Sequence, residues 1–458
     1  MYQIIKIQFS MVKYIYISTL GGEEIMSGIF KFIHAADLHL GSFLNINGKP
    51  QEEIQALCSL AVYDAFERIC INAVTLRVDF ILLCGDVYDS YLRSVRGNKF
   101  FAHQCVILNE KNIGVYVIYG NHDATRGQEE LFDIPANVHI LSPDKVETFE
   151  IHKEGEVVAK IVGKSYKHRS EKEKIYENYS LNKDVFNIAM LHTALEGDNK
   201  NYVPCTLEEL KQVPNIDYWA LGHVHKRSIL SDSKPVIAFP GIPQGRDMGE
   251  QGMGGVFYVE VCNKEVAYMR FLPIATVIYK SVEIILSEED NIENYSDLLQ
   301  RILEAVSSIA YDTPEIKGHI VQLIIRGRTK LHHKINEMIE EDYKPFIESI
   351  NEEFSVEKYF LWIDSIIFRT APPMQDFESL KLQNSIFQDL EDVISLYSTD
   401  IQYKKQLVKN WGAIWKEQIY SEDIEEEKFD FDEEIINDII LQARELIIEK
   451  LAEALEIT

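Results

Sequence analysis

Five apolar, β-rich runs of this chain each close on a side chain that can ligate a metal. The runs FKFIHAADLH, DFILLCGDVYD, GVYVIYGNHD, VFNIAMLHT and DYWALGHVH supply, in order, Asp37 and His39, Gly85-Asp86, Gly120-Asn121-His122-Asp123, His192, and Gly222-His223-Val224-His225. Short apolar runs bounded by turn residues read as buried strands. Open α/β sheets place their ligands beyond the carboxyl ends of the strands. Five kindred endings therefore predict one site gathered at a sheet edge. Carboxylate, imidazole and carboxamide without thiolate suit manganese, iron or zinc rather than a soft metal or calcium. Such a site serves metal-assisted attack on a phosphate ester.

The local spacing supports that reading piece by piece. Asp37 and His39 lie two apart at a strand end, so both point to one side. Gly85 permits a tight turn that exposes the Asp86 carboxylate, and one such carboxylate can bridge two cations. Asn121 offers a neutral oxygen, and His192, His223 and His225 complete the nitrogen set. His-x-His, Asp-x-His and Gly-Asp are weak signals singly, each with a structural explanation. Gly-Asn-His-Asp is more specific, and the ordered set far more so. His34, His103, His139, His152, His168, His319, His332 and His333 lack this context, and core or solvated roles fit them.

From Ile29 to about Ile274 the chain alternates strands with helices: Phe32–Ala36, a long helix Glu52–Val78, Phe80–Cys84, a helix Asn98–Asn112, and Val115–Tyr119. That alternation implies crossover units and a largely parallel sheet. Short strands follow at Val138–Leu141, Val146–His152, Val157–Val162, Val185–Leu191 and Tyr218–Leu221. A hairpin is expected at Gly255–Val261 and Val266–Leu272. The expected fold class is α/β, a two-sheet α/β sandwich. A boundary near Pro273 introduces a smaller β-α-β-α-β unit: Val277–Ile285, Ser296–Ile309, His319–Arg326, Leu331–Ile350 and Tyr359–Arg369. Ala371-Pro372-Pro373 breaks the chain again, and helices Phe377–Tyr397 and Ile435–Leu455 follow. Gly21-Gly22-Glu23-Glu24-Ile25-Met26 is what a purine-rich ribosome-binding site gives when translated, so the native start is expected at Met26. The expected domains are thus a non-native leader at 1–25, a catalytic domain at 26–275, a second domain at 276–370 and an acidic helical region at 371–458.

With 458 residues, 46% of them apolar, the chain has ample material for a core. Its formal charge is −27, and residues 373–458 contribute −13 from 21 acids and 8 bases. This argues against a stand-alone DNA-coating module, because most non-specific affinity comes from neutralising phosphates. A nuclease remains open, its basic surface being local or supplied by a partner. The six cysteines form no Cys-x-x-Cys pair, which fits buried free thiols in a reducing cytoplasm. No run approaches the ~20 apolar residues of a membrane helix, so no membrane association is expected.

With these residues assembled, the chain resembles the calcineurin-like metallophosphoesterase superfamily, and within it the DNA-repair exonuclease branch (SbcD-like and YhaO-type nuclease subunits). Gly85-Asp86-Val87-Tyr88-Asp89 is similar to the GD-x-[FY]-D form of that branch. The protein Ser/Thr phosphatases carry Arg-Gly after the second Asp and GNHE in the next motif; Ser90-Tyr91 and Asp123 stand here. Phe239-Pro240-Gly241, Gln244-Gly245-Arg246 and Gly249-Glu250 also look YhaO-like. The resemblance implies two divalent cations, manganese first, with iron or zinc as alternatives. Asp37, His39, Asp86 and His225 would hold one; Asp86, Asn121, His192 and His223 the other. His122, paired with Asp123, would act on the leaving oxygen. It further implies a DNA exonuclease with a cap at 276–370 and C-terminal helices docking an SMC-like coiled-coil ATPase; a homodimer is compatible with it. The competing expectations are a phosphodiesterase or phosphatase for nucleotides and small esters, and a non-catalytic scaffold for an ATPase.

Overall fold

The computed structural model describes residues 29–89, 95–124, 134–195, 201–290, 292–307, 309, 315–354, 359–373, 384–400, 402–404, 407 and 433–454. The expected leader, 1–25, lies outside them. Strands β1 (Phe30–Ala35), β2 (Phe80–Cys84), β3 (Gly114–Ile118) and β4 (Val138–Ile140) come first, with helix α1 (Glu52–Leu76) after β1 and α2 (Val95–Glu110) after β2. Then follow β5 (Glu147–Lys153), β6 (Glu156–Gly163), β7 (Phe186–His192), the short α3 (Leu207–Gln212), β8 (Tyr218–Gly222), β9 (Ser228–Ser231) and β10 (Val236–Phe239). The expected hairpin is β11 (Gly255–Cys262) and β12 (Glu265–Pro273).

These strands build two six-stranded sheets, ordered β12-β11-β1-β2-β3-β4 and β5-β6-β7-β8-β10-β9. Strands β1 to β4 run parallel, as do β6, β7, β8 and β10, while the β11–β12 hairpin on one sheet and β5 and β9 on the other pair antiparallel to their neighbours. Side-chain alternation explains why the runs are apolar throughout. Phe30, Phe32, Phe80, Leu82 and Cys84 share one core cluster with Phe186, Ile188, Met190, Tyr218 and Ala220 of the other sheet. Their neighbours Ile33, Ala35, Ile81 and Leu83 pack instead with Ile54, Cys58, Ala61, Phe66 and Ile69 of α1. A strand buried on both faces has no solvated side to mark with polar residues. Phe32 and Phe80 stack with centroids 5.2 Å apart across the β1–β2 pair. The α/β sandwich expected from sequence is the observed fold.

Beyond β12 come β13 (Val277–Leu286), α4 (Tyr295–Ser307), β14 (Gly318–Arg328), α5 (His332–Glu341), α6 (Tyr343–Glu352) and β15 (Phe360–Ala371), the strands forming a third sheet in the order β13-β14-β15. The single helix expected over Leu331–Ile350 is two, separated at Asp342. Pro345 is the reason: its missing N–H is harmless in the first turn of α6 but would break an unbroken helix. Helices α7 (Ile386–Thr399) and α8 (Glu433–Ala454) complete the described chain. Two compact units result: Met1–Val282 with Ser307–Gln322 and Ile347–Ser365, and Glu283–Val306 with Leu323–Phe346 and Ile366–Thr458. Every candidate site residue belongs to the first. Among the described residues no helix is long and apolar enough to cross a membrane.

Candidate metal centre

The segments leaving β1 and β2 stay paired past the sheet edge. Asp37 N–H donates to Gly85 O (3.0 Å), His39 N–H to Asp86 O (2.9 Å) and Leu40 N–H to Val87 O (2.8 Å). This holds the two carboxylate-bearing turns together. The cost is backbone strain: Asp37 (φ 54°), His39 (48°), Asp86 (52°) and His223 (96°) all lie in the left-handed region that L-residues avoid. Gly85 (φ 92°) takes that conformation freely, and a Cβ there would lie 2.2 Å from His192 Nδ1. The glycine thus lets the His192 ring come up against the turn.

All seven sequence-predicted ligands are brought together. Six of them fall in two of the three groups, among the described residues, whose ligand atoms lie mutually within 4.8 Å: Asp37, His39 and His225, and Asp86, His192 and His223; the third group is His39, Asp89 and His122. Asn121 joins the second, its Oδ1 lying 3.0 Å from His192 Nε2 and 3.1 Å from His223 Nδ1. The groups are laced to one another and to the loops. His223 N–H donates to Asp37 Oδ2 (3.0 Å), and His122 N–H donates to Asp86 Oδ1 (2.8 Å).

The proton positions show what the centre is shaped to hold. His192 places Nδ1 3.0 Å from the Cys84 carbonyl, which can only accept, so Nδ1 carries the proton and Nε2 presents a lone pair. That lone pair faces Asn121 Oδ1 (3.0 Å) and Asp86 Oδ2 (3.5 Å). Likewise His225 Nδ1 is 2.6 Å from Glu250 Oε1, turning its Nε2 toward His39 Nε2 (3.3 Å) and Asp37 Oδ1 (3.9 Å). These donor atoms thus converge on one another, an arrangement that calls for positive charge between them, from a bound cation or, in its place, a second proton on the ring. The field agrees. Burial opposes charge on His192, yet the Asp86 carboxylate pushes its pKa up to about 9. Burial would also raise Asp86, but His192 holds it well below the usual carboxylate range. Burial pushes Asp37 up to about 6 and His223 down to about 3. The donor set and its burial fit divalent cations.

His122 and Asp123 differ from the expected pairing. The Asp123 carboxylate is buried and turned to the backbone: Oδ2 accepts from Val87 N–H (2.6 Å) and Tyr88 N–H (3.4 Å), Oδ1 from Gly120 N–H (2.6 Å). It ties the β2 and β3 loops together. Burial and the nearby Asp86 charge push it up to about 7. The carboxylate that the His122 ring meets is Asp89, with Nδ1 to Oδ1 at 3.7 Å. The resemblance implied Asp123 as the partner, but that carboxylate is turned to the backbone. Asp89 stood in the Gly85–Asp89 motif without a role. Glu250, named only in the Gly249-Glu250 pair, likewise had no role; it holds His225 and is itself clamped by Arg246 through Nη2 (2.8 Å) and backbone N–H (2.8 Å).

Comparison with known proteins completes the picture. The family described as calcineurin-like phosphoesterase matches residues 30–227, the span from β1 through His225. The chain is 34% identical over 335 residues to the uncharacterized metallophosphoesterase YhaO of Bacillus subtilis (strain 168), covering 72% of this chain and 79% of that one. The chain belongs to the calcineurin-like phosphoesterase family. This metallophosphoesterase is also similar to two proteins named DNA double-strand break repair protein Mre11. That of Thermoplasma acidophilum is 28% identical over 316 residues, covering 64% of this chain and 76% of its own. That of Methanocaldococcus jannaschii is 24% identical over 410 residues, covering 84% and 96%. The protein is therefore a hydrolytic metallophosphoesterase of a family that works through a dinuclear divalent-metal site. Arg246 and Glu250 lie beyond the matched family segment, so the support for His225 comes from outside it.

Proposed function

We propose that this metallophosphoesterase is a metal-dependent DNA exonuclease of a DNA-repair complex, working with an SMC-like coiled-coil ATPase in the cytoplasm. The observation that carries the reading is the pair of ligand groups, joined through the His223 N–H to Asp37 hydrogen bond. Asp37, His39, Asp86 and His225 would hold one cation, and Asp86, Asn121, His192 and His223 the other, with manganese the first choice. Bound there, two divalent cations supply hydroxide from water and neutralise charge on the phosphodiester. The chain supplies position and protons. Asp86, which the structure groups with His192 and His223, would supply an oxygen to each cation. His122, 38% exposed in its side chain, stands where the site meets solvent. Asp89 lies 3.7 Å from its Nδ1, and the His122 ring would protonate the leaving oxygen.

Three further features support DNA as the substrate class and a protein as the partner. The Gly85–Asp89 motif is similar to the form of the exonuclease branch, and two relatives carry the name of a DNA double-strand break repair protein. Val393 and Leu396 of α7 and Leu441 and Leu446 of α8 are exposed apolar residues, as a docking surface requires. The 371–458 region is proposed for that docking and 276–370 for shaping DNA access. All six cysteines are free and five are buried, which accords with a reducing compartment. At −27 the isolated chain is expected to bind DNA weakly.

The test is hydrolysis of end-labelled DNA by purified protein with manganese or magnesium, alone and with the ATPase, beside bis-p-nitrophenyl phosphate. Release of terminal nucleotides, abolished in Asp86→Asn, supports the proposal. Turnover of the small diester with none on single- or double-stranded DNA in any combination would replace it with a small-ester phosphodiesterase. An Asp86→Asn variant that loses hydrolysis yet rescues a deletion strain would favour the scaffold.

A further inference from the structure

The loop that follows His39 is fastened along its length, yet it leaves one aromatic ring in solvent. Ser42 N–H donates to His39 O (3.0 Å), and Ser42 Oγ donates to Asp89 Oδ2 (3.1 Å). Asn45 N–H donates to Arg246 O (2.7 Å), while the Tyr279 hydroxyl donates to Asn45 O (2.7 Å). At Asn47 the buried Asp364 carboxylate accepts from the backbone N–H (2.6 Å) and from Nδ2 (2.8 Å), and Trp362 Nε1 donates to Asn47 O (3.1 Å). Between Ser42, 5% exposed, and Leu44, 6% exposed, Phe43 is 65% exposed.

A lone exposed hydrophobe is ordinary on a protein surface. The position of Phe43 is not. Its neighbour Ser42 bonds one oxygen of Asp89, and the other oxygen of Asp89 faces His122 Nδ1 at 3.7 Å. Ligand atoms of His39, Asp89 and His122 lie mutually within 4.8 Å. Phe43 therefore stands one residue from the side of the centre where the leaving oxygen receives its proton. Hydrogen bonds at Ser42, Asn45 and Asn47 tie down the backbone on both sides of the ring, which lowers the backbone ordering a ligand must impose.

We propose that Phe43 is a substrate-contacting residue that stacks on the base of the nucleoside whose oxygen leaves. This rests on the nuclease reading above. A phenyl ring has no hydrogen-bonding group, so it accepts any base by its π-face and makes no choice among sequences. It discriminates instead between ends that carry bases and ends that do not.

The test uses the full chain with manganese, on two single-stranded oligodeoxynucleotides. One is unmodified; the other carries abasic residues in place of the last two nucleosides at each end. Stacking on one base predicts that Phe43→Ala loses roughly five- to a hundredfold in kcat/KM on the unmodified strand. The same variant should keep its rate on the abasic strand, and Phe43→Trp should retain activity on both. An equal loss on both strands, or no loss on either, overturns the role of Phe43 while leaving the nuclease reading intact. Wild-type protein that cleaves bis-p-nitrophenyl phosphate but neither oligonucleotide overturns both.

Discussion

Glu250 offers the sharpest test of how the centre is organised, because it touches no predicted cation directly. Its Oε1 receives His225 Nδ1–H at 2.6 Å and Arg246 Nη2–H at 2.8 Å, and its Oε2 receives the Arg246 backbone N–H at 2.8 Å. Burial opposes the charged form, but the His225 and Arg246 contacts hold the carboxyl well below its usual range. Glu250→Gln keeps the shape and replaces one acceptor oxygen with an NH2 group. Either His225 loses its acceptor, or the amide hydrogens confront the Arg246 donors. His225 is then free to rotate or to change tautomer, and its Nε2 no longer aims at His39 and Asp37. Removing such an outer partner costs roughly 10- to 100-fold in metal affinity, or about 1.4 to 2.7 kcal/mol. Calorimetric titration of chelator-treated protein with manganese should show one of two binding steps weakened by that factor and the other unchanged, since His192 is oriented separately by Cys84 O. Equal weakening of both steps, or no weakening, would refute the reasoning. Thermal unfolding run in parallel guards against a general loss of structure, because Arg246 also loses a charged partner.

Other outcomes follow from the same geometry. His122→Ala should keep both manganese affinities in calorimetry yet lose roughly 100- to 10,000-fold in kcat; unchanged turnover would remove its role at the leaving oxygen. Gly120→Ala places a Cβ 2.3 Å from Asp86 Oδ1 and 2.7 Å from His192 Nε2, and a displacement of that order costs on the order of 100-fold in kcat; wild-type steady-state turnover would contradict it. His34 is buried between the sheets, bonded to Tyr218 Oη and Leu221 O at 3.0 Å each, and burial lowers its pKa from 6.5 to about 3. Its stabilising effect is complete above pH 6.5 and is lost toward pH 3, by about 1.4 kcal/mol per unit, so His34→Gln should flatten denaturant-measured stability between pH 7 and 5 by about 2 kcal/mol. An identical pH slope in wild type and variant would show that His34 is not what titrates.

Much of this fold is legible because both central sheets are buried on two faces. A run such as Phe80–Cys84 then has no alternative to a strand, and the reading and the structure agree to the residue. Strands β9 and β10 went unforeseen: four residues are too few for a pattern, and Ser228 and Ser231 dilute the first. Helix α3 is only six residues long, yet Thr206 and Glu209 form a full capping box, so the threonine-x-x-glutamate spelling could have revealed it. Within the site, the seven ligand candidates were legible because a ligand at a sheet edge must follow its strand directly. Asp89 and Glu250 obey no such rule. A residue that orients a ligand needs only to arrive in space, and Glu250 comes from a loop 25 positions after His225.

The same distinction explains why the expected pairing of His122 with Asp123 is not the one observed. A turn that aims Asn121 and His122 at a common centre must bend sharply, and the bend is stabilised by whichever nearby group can accept the freed backbone N–H donors. Asp123 is that group, with Gly120, Val87 and Tyr88 as its donors. Its carboxylate is consumed in building the turn, so the imidazole must draw its partner from the β2 loop instead. The centre is therefore assembled in two tiers. Strained ligand positions at Asp37, His39, Asp86 and His223 cost of order 1–3 kcal/mol each, and buried carboxylates that accept backbone hydrogens hold those positions in place. Asp37 serves in both tiers: its carboxylate is a ligand candidate, yet it also accepts the His223 N–H. A cation bound by Asp37 therefore meets a carboxylate whose direction the backbone has already fixed.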